Sequence, residues 1–359
     1  MRRNLNDYKM KRNILVIVLV LGMTAFSCSK FDSGTSLKQS IENSVAKINT
    51  AASELSGSNG YQLLTVSDSP GKNETGFSDS IDLEMITGVY DFNPYPVLYN
   101  WCPYPRRFFK KTGESDSLIV NMPQRMVYHP RFMYGYIYKD TANKNNFTIA
   151  ASDYHFYYSR FSNYDYKLSA GFILDKEDIG TLDMLANAKG WASNSYSSKF
   201  NFTEGYNIEV SMERGDTTTA SFALADEDDI LLKETRIYSG GKCHNDCERT
   251  YILTIGNVDI VRSTEIDSIQ VFLAGVLQKK AAVRIIDDSD TTGTICHKRD
   301  ILLTFDDGTT ANLSEMIKPG MDVLGTLVDS LHSMYFAKYI VDYIAVNIYY
   351  HEYKLPHND

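Results

Sequence analysis

No apolar run in this 359-residue chain is long enough for a comfortable membrane span. The run at 14–22 (ILVIVLVLG) stops well short of the about 20 residues a bilayer requires, and polar Thr24, Ser27 and Ser29 close it. No segment clusters Lys and Arg with interleaved aromatics, which excludes nucleic acid as an expected partner. The Gly-rich phosphate-cradling loops Gly-x-Gly-x-x-Gly and Gly-x-x-x-x-Gly-Lys-Ser/Thr are missing, as are Gly-x-Ser-x-Gly and His-Glu-x-x-His. Histidines stand at 129, 155, 244, 297, 332, 351 and 357, scattered and unpaired in sequence. No period of 20 to 50 residues repeats, so neither a solenoid nor a propeller is expected. These absences tilt the reading away from an enzyme, and no cofactor is expected.

What is present begins at the N-terminus. Arg2, Arg3, Lys9, Lys11 and Arg12 form a basic leader, the short apolar run follows, and Thr24, Ala25, Phe26 and Ser27 lead to Cys28. This is the layout of a secretory signal peptide with a cysteine at the cut. With Ser27, Cys28, Ser29, Lys30 and Asp32, the leader resembles the signal peptides of bacterial lipoproteins, particularly those of the Bacteroidota group. It departs from the commonest pattern at Ala25, where leucine is usual, and Met10 would serve as a second start giving a leader of ordinary length. The resemblance covers about thirty residues. It implies cleavage after residue 27, acylation of Cys28, and a body held at the cell envelope, in the outer membrane, by its lipid. More than one acyl chain makes such residence stable.

The leader holds five of the 36 basic residues and one of the 45 acidic ones, so the mature part carries a formal charge of −13. Such a body disfavours broad contact with anionic lipid and fits a solvent-facing protein on a tether. With Cys28 acylated, four cysteines remain: Cys102, Cys243, Cys247 and Cys296. Their even number in an oxidising compartment allows disulfides. Cys243 and Cys247 flank His244-Asn245-Asp246 between two strand-like segments and are the candidate pair. Free thiols are one alternative. Another is a zinc site from Cys243, His244, Cys247, Cys296 and His297, whose donors suit the metal.

Residues 28–35 read as a tether. Leu37, Ile41, Val45, Ile48, Ala52 and Leu55 then recur at spacings of three and four, which predicts an amphipathic helix capped by Ser36. From Tyr61 to about Ile286 the pattern is period two with aromatic and β-branched residues. Strands are expected at 61–66, 80–90, 118–120, 132–138, 147–151, 154–158, 164–174, 200–202, 206–213 and 217–224. Residues 231–238 should pair with 250–255 across the cysteine loop, and further strands are expected at 266–273, 281–286 and 301–305. A short helix or turn is expected at 179–188, a helical turn at 313–317, a helix at 321–334 and a last strand at 343–350. The fold class is therefore mainly β, with antiparallel sandwich-like sheets, an N-terminal amphipathic helix and a short C-terminal helix before the last strand. The length suits two domains, 36–240 and 241–359.

Tyrosine is the one unusual abundance, at 25 residues. Residues 91–109 hold four prolines and seven aromatics, which argues against a central strand there. Tyr95, Tyr99, Trp101 and Tyr104 in this segment form the candidate aromatic binding loop, stiffened by its prolines. Tyr134, Tyr136 and Tyr138 share one face of a predicted strand, as a core stripe or an exposed platform. The acid runs Asp226–Asp229, Asp287 to Asp290 and Asp306-Asp307 read as solvated turns rather than calcium loops. The expected function is non-catalytic binding of an oligosaccharide or an envelope protein. An exported hydrolase, a fimbria-like structural subunit and a lipid carrier are the competing readings. Facing carboxylates would mark the first of these. A cavity lined by Leu63, Ile81, Leu83 and Met85 would mark the last.

Overall fold

A computed structural model describes residues 36–66, 80–97, 107–124, 126, 144–159, 163–190, 193–239, 248–264, 269–288, 298–330 and 335–354. Helix α1 (Leu37–Ser56) starts where Ser36 Oγ accepts from Gln39 N at 3.2 Å, and it buries the aliphatic stripe expected of it. Helix α2 (Asn59–Val66) follows at once, where a strand was expected. Ser58 takes the N-cap role, accepting from Tyr61 N at 3.0 Å. The adjacent pair Leu63 and Leu64 are both buried, which a helix packed against more than one element allows and an alternating strand does not.

The expected strand at 80–90 is broken into β1 (Ser80–Asp82), a 3-10 turn (Leu83–Met85) and the start of β2 (Gly88–Val97). Strand β2 runs through Pro94 and Pro96, against the expectation for this segment. Its parallel ladder with β4 (Leu118–Met122) covers only Gly88 to Asp91. Its antiparallel ladder with β3 (Arg107–Gly113) is interrupted between Phe92 and Val97. The prolines thus fall where no ladder bond is asked of them.

A meander follows: β5 (Phe147–Ser159), β6 (Asn163–Leu174), β7 (Glu177–Lys189), β8 (Ser193–Phe202), β9 (Tyr206–Arg214), β10 (Thr217–Asp226), β11 (Asp229–Ser239), β12 (Glu248–Ile255), β13 (Val258–Ser263), β14 (Gln270–Leu273) and β15 (Val276–Leu277). With β1 to β4 these make one 15-stranded sheet in which each meander strand pairs with its successor and β1 pairs with β5. Residues 179–188 lie within β7 and are paired on both sides. Their Leu, Met and Ala content favours helix, and two flanking ladders override it. The segments 147–151 and 154–158 are one strand, β5, with a bulge between Ala151 and Asp153. Residues 231–238 pair with 250–255 as expected. The division drawn at 240/241 therefore falls between two neighbours of the same sheet.

A second, three-stranded sheet comprises β16 (Ala282–Asp288), β17 (Lys298–Thr304) and β18 (Thr310–Asn312). Helix α3 (Leu313–Ser330) continues through Pro319 as a single element. The segment expected as a last strand lies in helix α4 (Tyr335–Tyr349). Ala337, Ile340, Val341, Ile344, Ala345 and Ile348 are buried at helical spacing, with Tyr339 and Tyr349 beside them, a pattern that its Tyr and Ile content concealed. Among the described residues no helix is long and apolar enough to cross a membrane.

The fold is mainly β and antiparallel with an N-terminal helix, and the large sheet is layered against helices rather than against a second broad sheet. Helix α1 lies on β11, β12 and β13, and α2 lies on β7. Helix α3 runs along α1 and meets β17 and β18. One continuous apolar cluster joins all of these. Leu63 and Ile81 are in it at 2% and 0% exposure, so both pack in a filled interior.

Two contacts fix α1 on the sheet. The turn between β12 and β13 places Gly256 at φ +58°. A Cβ there would stand 2.2 Å from Ser44 Oγ of α1. Gly256→Ala is expected to cost about 1–3 kcal/mol in denaturant unfolding, and a Ser44→Gly change in that background should restore only the steric share. On β9, Tyr206 Oη donates to Glu54 Oε2 at 2.6 Å. That hydrogen bond, then burial, pushes the tyrosine pKa up to about 12. The folded state holds this proton between pH 10 and 12 and the unfolded chain does not, so the contribution is complete below pH 10 and lost as pH rises. The stability gap between wild type and Tyr206→Phe should therefore narrow over that window.

Candidate functional site

The cysteines and aromatics singled out in the sequence fall largely outside the described residues. These are Cys28, Tyr99, Trp101, Tyr104, Tyr134, Tyr136, Tyr138, Cys102, Cys243, His244, Cys247, Cys296 and His297. Tyr95 lies on the backbone of β2. Two of the three acid runs do sit in turns; the third does not, since Asp287 and Asp288 are paired residues of β16, opposite Arg299 and Lys298, and Asp290 lies outside the described residues. Asp226 and Asp229 close the β10–β11 hairpin around Glu227 at φ +50°. Asp307 caps the β17–β18 turn by accepting from Thr309 Oγ1 at 2.6 Å and from Thr309 N at 2.8 Å, bonds that hold its carboxyl below the ordinary range. Among the described residues no three His, Cys, Asp or Glu side chains gather as a metal site.

A His–carboxylate pair does form on the sheet face away from the core. His155 Nδ1 lies 2.6 Å from Asp82 Oδ1 across the β1–β5 ladder. Ser80 Oγ is 3.4 Å from the other oxygen of the same carboxylate rather than on the imidazole. The order of contacts is thus wrong for a nucleophile activated by His155.

The helix-bearing face of the large sheet is more informative. Strand register lays its residues out in rows across neighbouring strands. One row, Leu182, Phe200, Ile208, Leu224, Leu232, Ile255, Val258 and Leu273, is buried throughout. Farther along the same strands the cover ends. The row Ala186–Tyr196–Met212–Ala220–Arg236–Tyr251–Arg262 is half-buried to exposed. So is the next, Ala188–Asn194–Arg214–Thr218–Tyr238–Arg249. Met212 and Tyr238 are 38% and 40% exposed, unusual for large side chains on the face that carries the core.

Arginine and tyrosine alternate on this open strip. Tyr251 stands directly between Arg236 and Arg262 on the neighbouring strands, and Arg249 is two residues away on its own strand. Cross-strand partners are about 5 Å apart and i, i+2 neighbours about 7 Å, so all three guanidinium stems border one ring. Arg236 Nε donates to Glu234 Oε1 at 2.7 Å, and Nη2 lies 2.5 Å from the same oxygen. Burial, with the Glu234 charge, pushes the Tyr251 pKa up to about 12 against the opposing pull of Arg236, so its hydroxyl is neutral at pH 7. Arg214, Arg249 and Arg262 have no ion-pair partner among the described residues.

One end of the strip is closed by α4. The same two rows continue onto β6 as Tyr166 and Tyr164 and onto β5 as Phe156 and Tyr158. There Lys338 of α4 sits with its ammonium 4.2 Å from the Tyr166 ring centroid and 5.9 Å from that of Phe156. Lys338 pairs with Asp342 one turn on, and Tyr154 Oη donates to the other Asp342 oxygen at 3.0 Å. Burial lowers the Lys338 pKa, and the charge of Asp342 with the Tyr164 hydroxyl more than offsets it, so the net shift is upward. Burial, then Asp342, raises the Tyr154 and Tyr166 hydroxyls well above their ordinary range, so all remain protonated at neutral pH. This cluster is a cation held by rings and a carboxylate, and its chemistry is that of a clamp on α4.

The strip was missed in sequence although a signal existed. Arg236-Ile237-Tyr238 and Arg249-Thr250-Tyr251 each put an arginine and a tyrosine on one strand face. No family model, curated protein or solved structure matches this chain.

Proposed function

We propose that this chain is a non-catalytic binding protein of the cell envelope, anchored through Cys28, and that its open strip docks an oligosaccharide. The observation that carries the reading is the alternation of Tyr238, Tyr251, Arg249 and Arg262 on one exposed face of a rigid sheet. Tyrosine rings offer flat apolar faces with polar rims, which suit the CH faces and hydroxyls of sugar rings. A sheet holds such groups in fixed positions, so little ordering entropy is spent on binding. Binding is favoured over lipid carriage because Leu63 and Ile81 are committed to a filled core. It is favoured over hydrolysis because the two exposed rows contain no carboxylate, and Glu234 beside them is held by Arg236.

The test is a glycan array on the mature chain followed by calorimetry on the best ligand. Tyr238→Ala, at an exposed ring, should weaken binding with the unfolding midpoint close to wild type, and adding Tyr251→Ala, at a half-buried ring, should bring the loss to at least tenfold with some lowering of the midpoint. Unchanged affinity in that double variant would contradict the assignment of the strip.

A further inference from the structure

We infer that the ligand of this strip is an acidic oligosaccharide, its sugar carboxylates received by Arg214, Arg249 and Arg262; the inference rests on the oligosaccharide reading above. The protein is strongly acidic as a whole, yet these three guanidinium groups and Arg236 gather on two adjacent rows of one face. Their only carboxylate neighbour in the row between strip and core is Glu234, and it is already engaged by Arg236. Three exposed positive charges thus remain uncompensated among the described residues, on a body whose field otherwise repels anions.

The residue type narrows the ligand further. Guanidinium is a planar fork that receives a carboxylate through two parallel hydrogen bonds, where an ammonium is only a point charge. A uronate ring carries its carboxylate at the edge, in reach of a guanidinium beside the aromatic ring on which the sugar stacks. Tyr251, with Arg262 on one side and Arg249 along its strand, has that arrangement, and Tyr238 beside Arg249 repeats it one row over. Successive strands advance by about 4.8 Å, so a linear chain lying across β11 to β13 meets a stacking or charged position at each strand, and Arg214 of β9 stands beyond the small Ala220 and Thr218 of β10. An anionic bilayer is a poorer match because Met212 is the one exposed aliphatic side chain of any length in the two rows, too little for insertion.

The experiment uses the mature chain with oligogalacturonate and the same oligomer fully methyl-esterified, which keeps the backbone and removes the charge. The acid form should bind at least tenfold tighter than the ester, with affinity falling as salt rises. Arg249→Gln with Arg262→Gln should erase that difference while the ester's own weak affinity is retained. Equal affinity for acid and ester would overturn the inference and leave the oligosaccharide reading standing. Failure of every glycan, charged or neutral, would overturn both. Single-stranded DNA, or vesicles of phosphatidylcholine with phosphatidylglycerol, binding tighter than the oligouronate through the same arginines would overturn the inference in favour of that other anion. Circular dichroism of the exposed Arg→Gln variants guards against misfolding.

Discussion

Asp342→Ala is expected to destabilise the protein by about 3 kcal/mol, because it strands the Lys338 ammonium against Tyr166 and Phe156 with no counter-charge. The side chains of the pair are only 23% and 21% exposed, so water replaces the lost carboxylate poorly. Tyr154 loses its acceptor in the same step. Lys338→Met is expected to be far milder, since a thioether keeps the contact with the rings and leaves Asp342 its bond from Tyr154. The double variant should be more stable than the sum of the two single losses predicts, and urea unfolding of all four proteins measures that coupling. Because the Lys338 pKa is raised in the fold, the clamp contributes fully below the ordinary lysine value and is lost as pH climbs above it.

A loss of similar size, about 2–5 kcal/mol, is expected for Ile48→Ala. Ile48 is fully buried in the seam where α1 meets the sheet and α3, and the groups around it belong to three separate elements that cannot all close on a void. Leu185→Ala is the control. Leu185 projects from β7 to the opposite face at 52% exposure, and its truncation should stay within about 0.5 kcal/mol. Equal effects at the two positions would show that α1 is not the element that holds the covered half of the face.

The parts of the fold legible in sequence are those where one local signal acted alone. Helix α1 has a cap and an unbroken three-four stripe, and β9 to β11 have β-branched alternation between turn residues. Legibility failed where local preference and tertiary context disagreed. Residues 179–188 prefer helix and are held as β7 by two ladders. Residues 343–350 are rich in tyrosine and isoleucine and are held as helix by a buried face. Strand β13 was overlooked because Val258 follows a two-residue Gly-Asn turn so closely that two strands looked like one and a loop. The open strip depends on register across strands β8 to β13, and no single segment contains that information. Its only local trace is the Arg-x-Tyr pair repeated on β11 and β12.

The most direct test of the account is hydroxyl-radical footprinting of the mature chain with and without oligogalacturonate. This reads side chains and so separates the two faces of one strand. The ligand should protect Met212, Tyr238 and Tyr251 and leave Leu185, on the other face of the sheet, as reactive as before. Unchanged reactivity at Met212 and Tyr238, or protection centred on Leu185, would contradict docking on the strip.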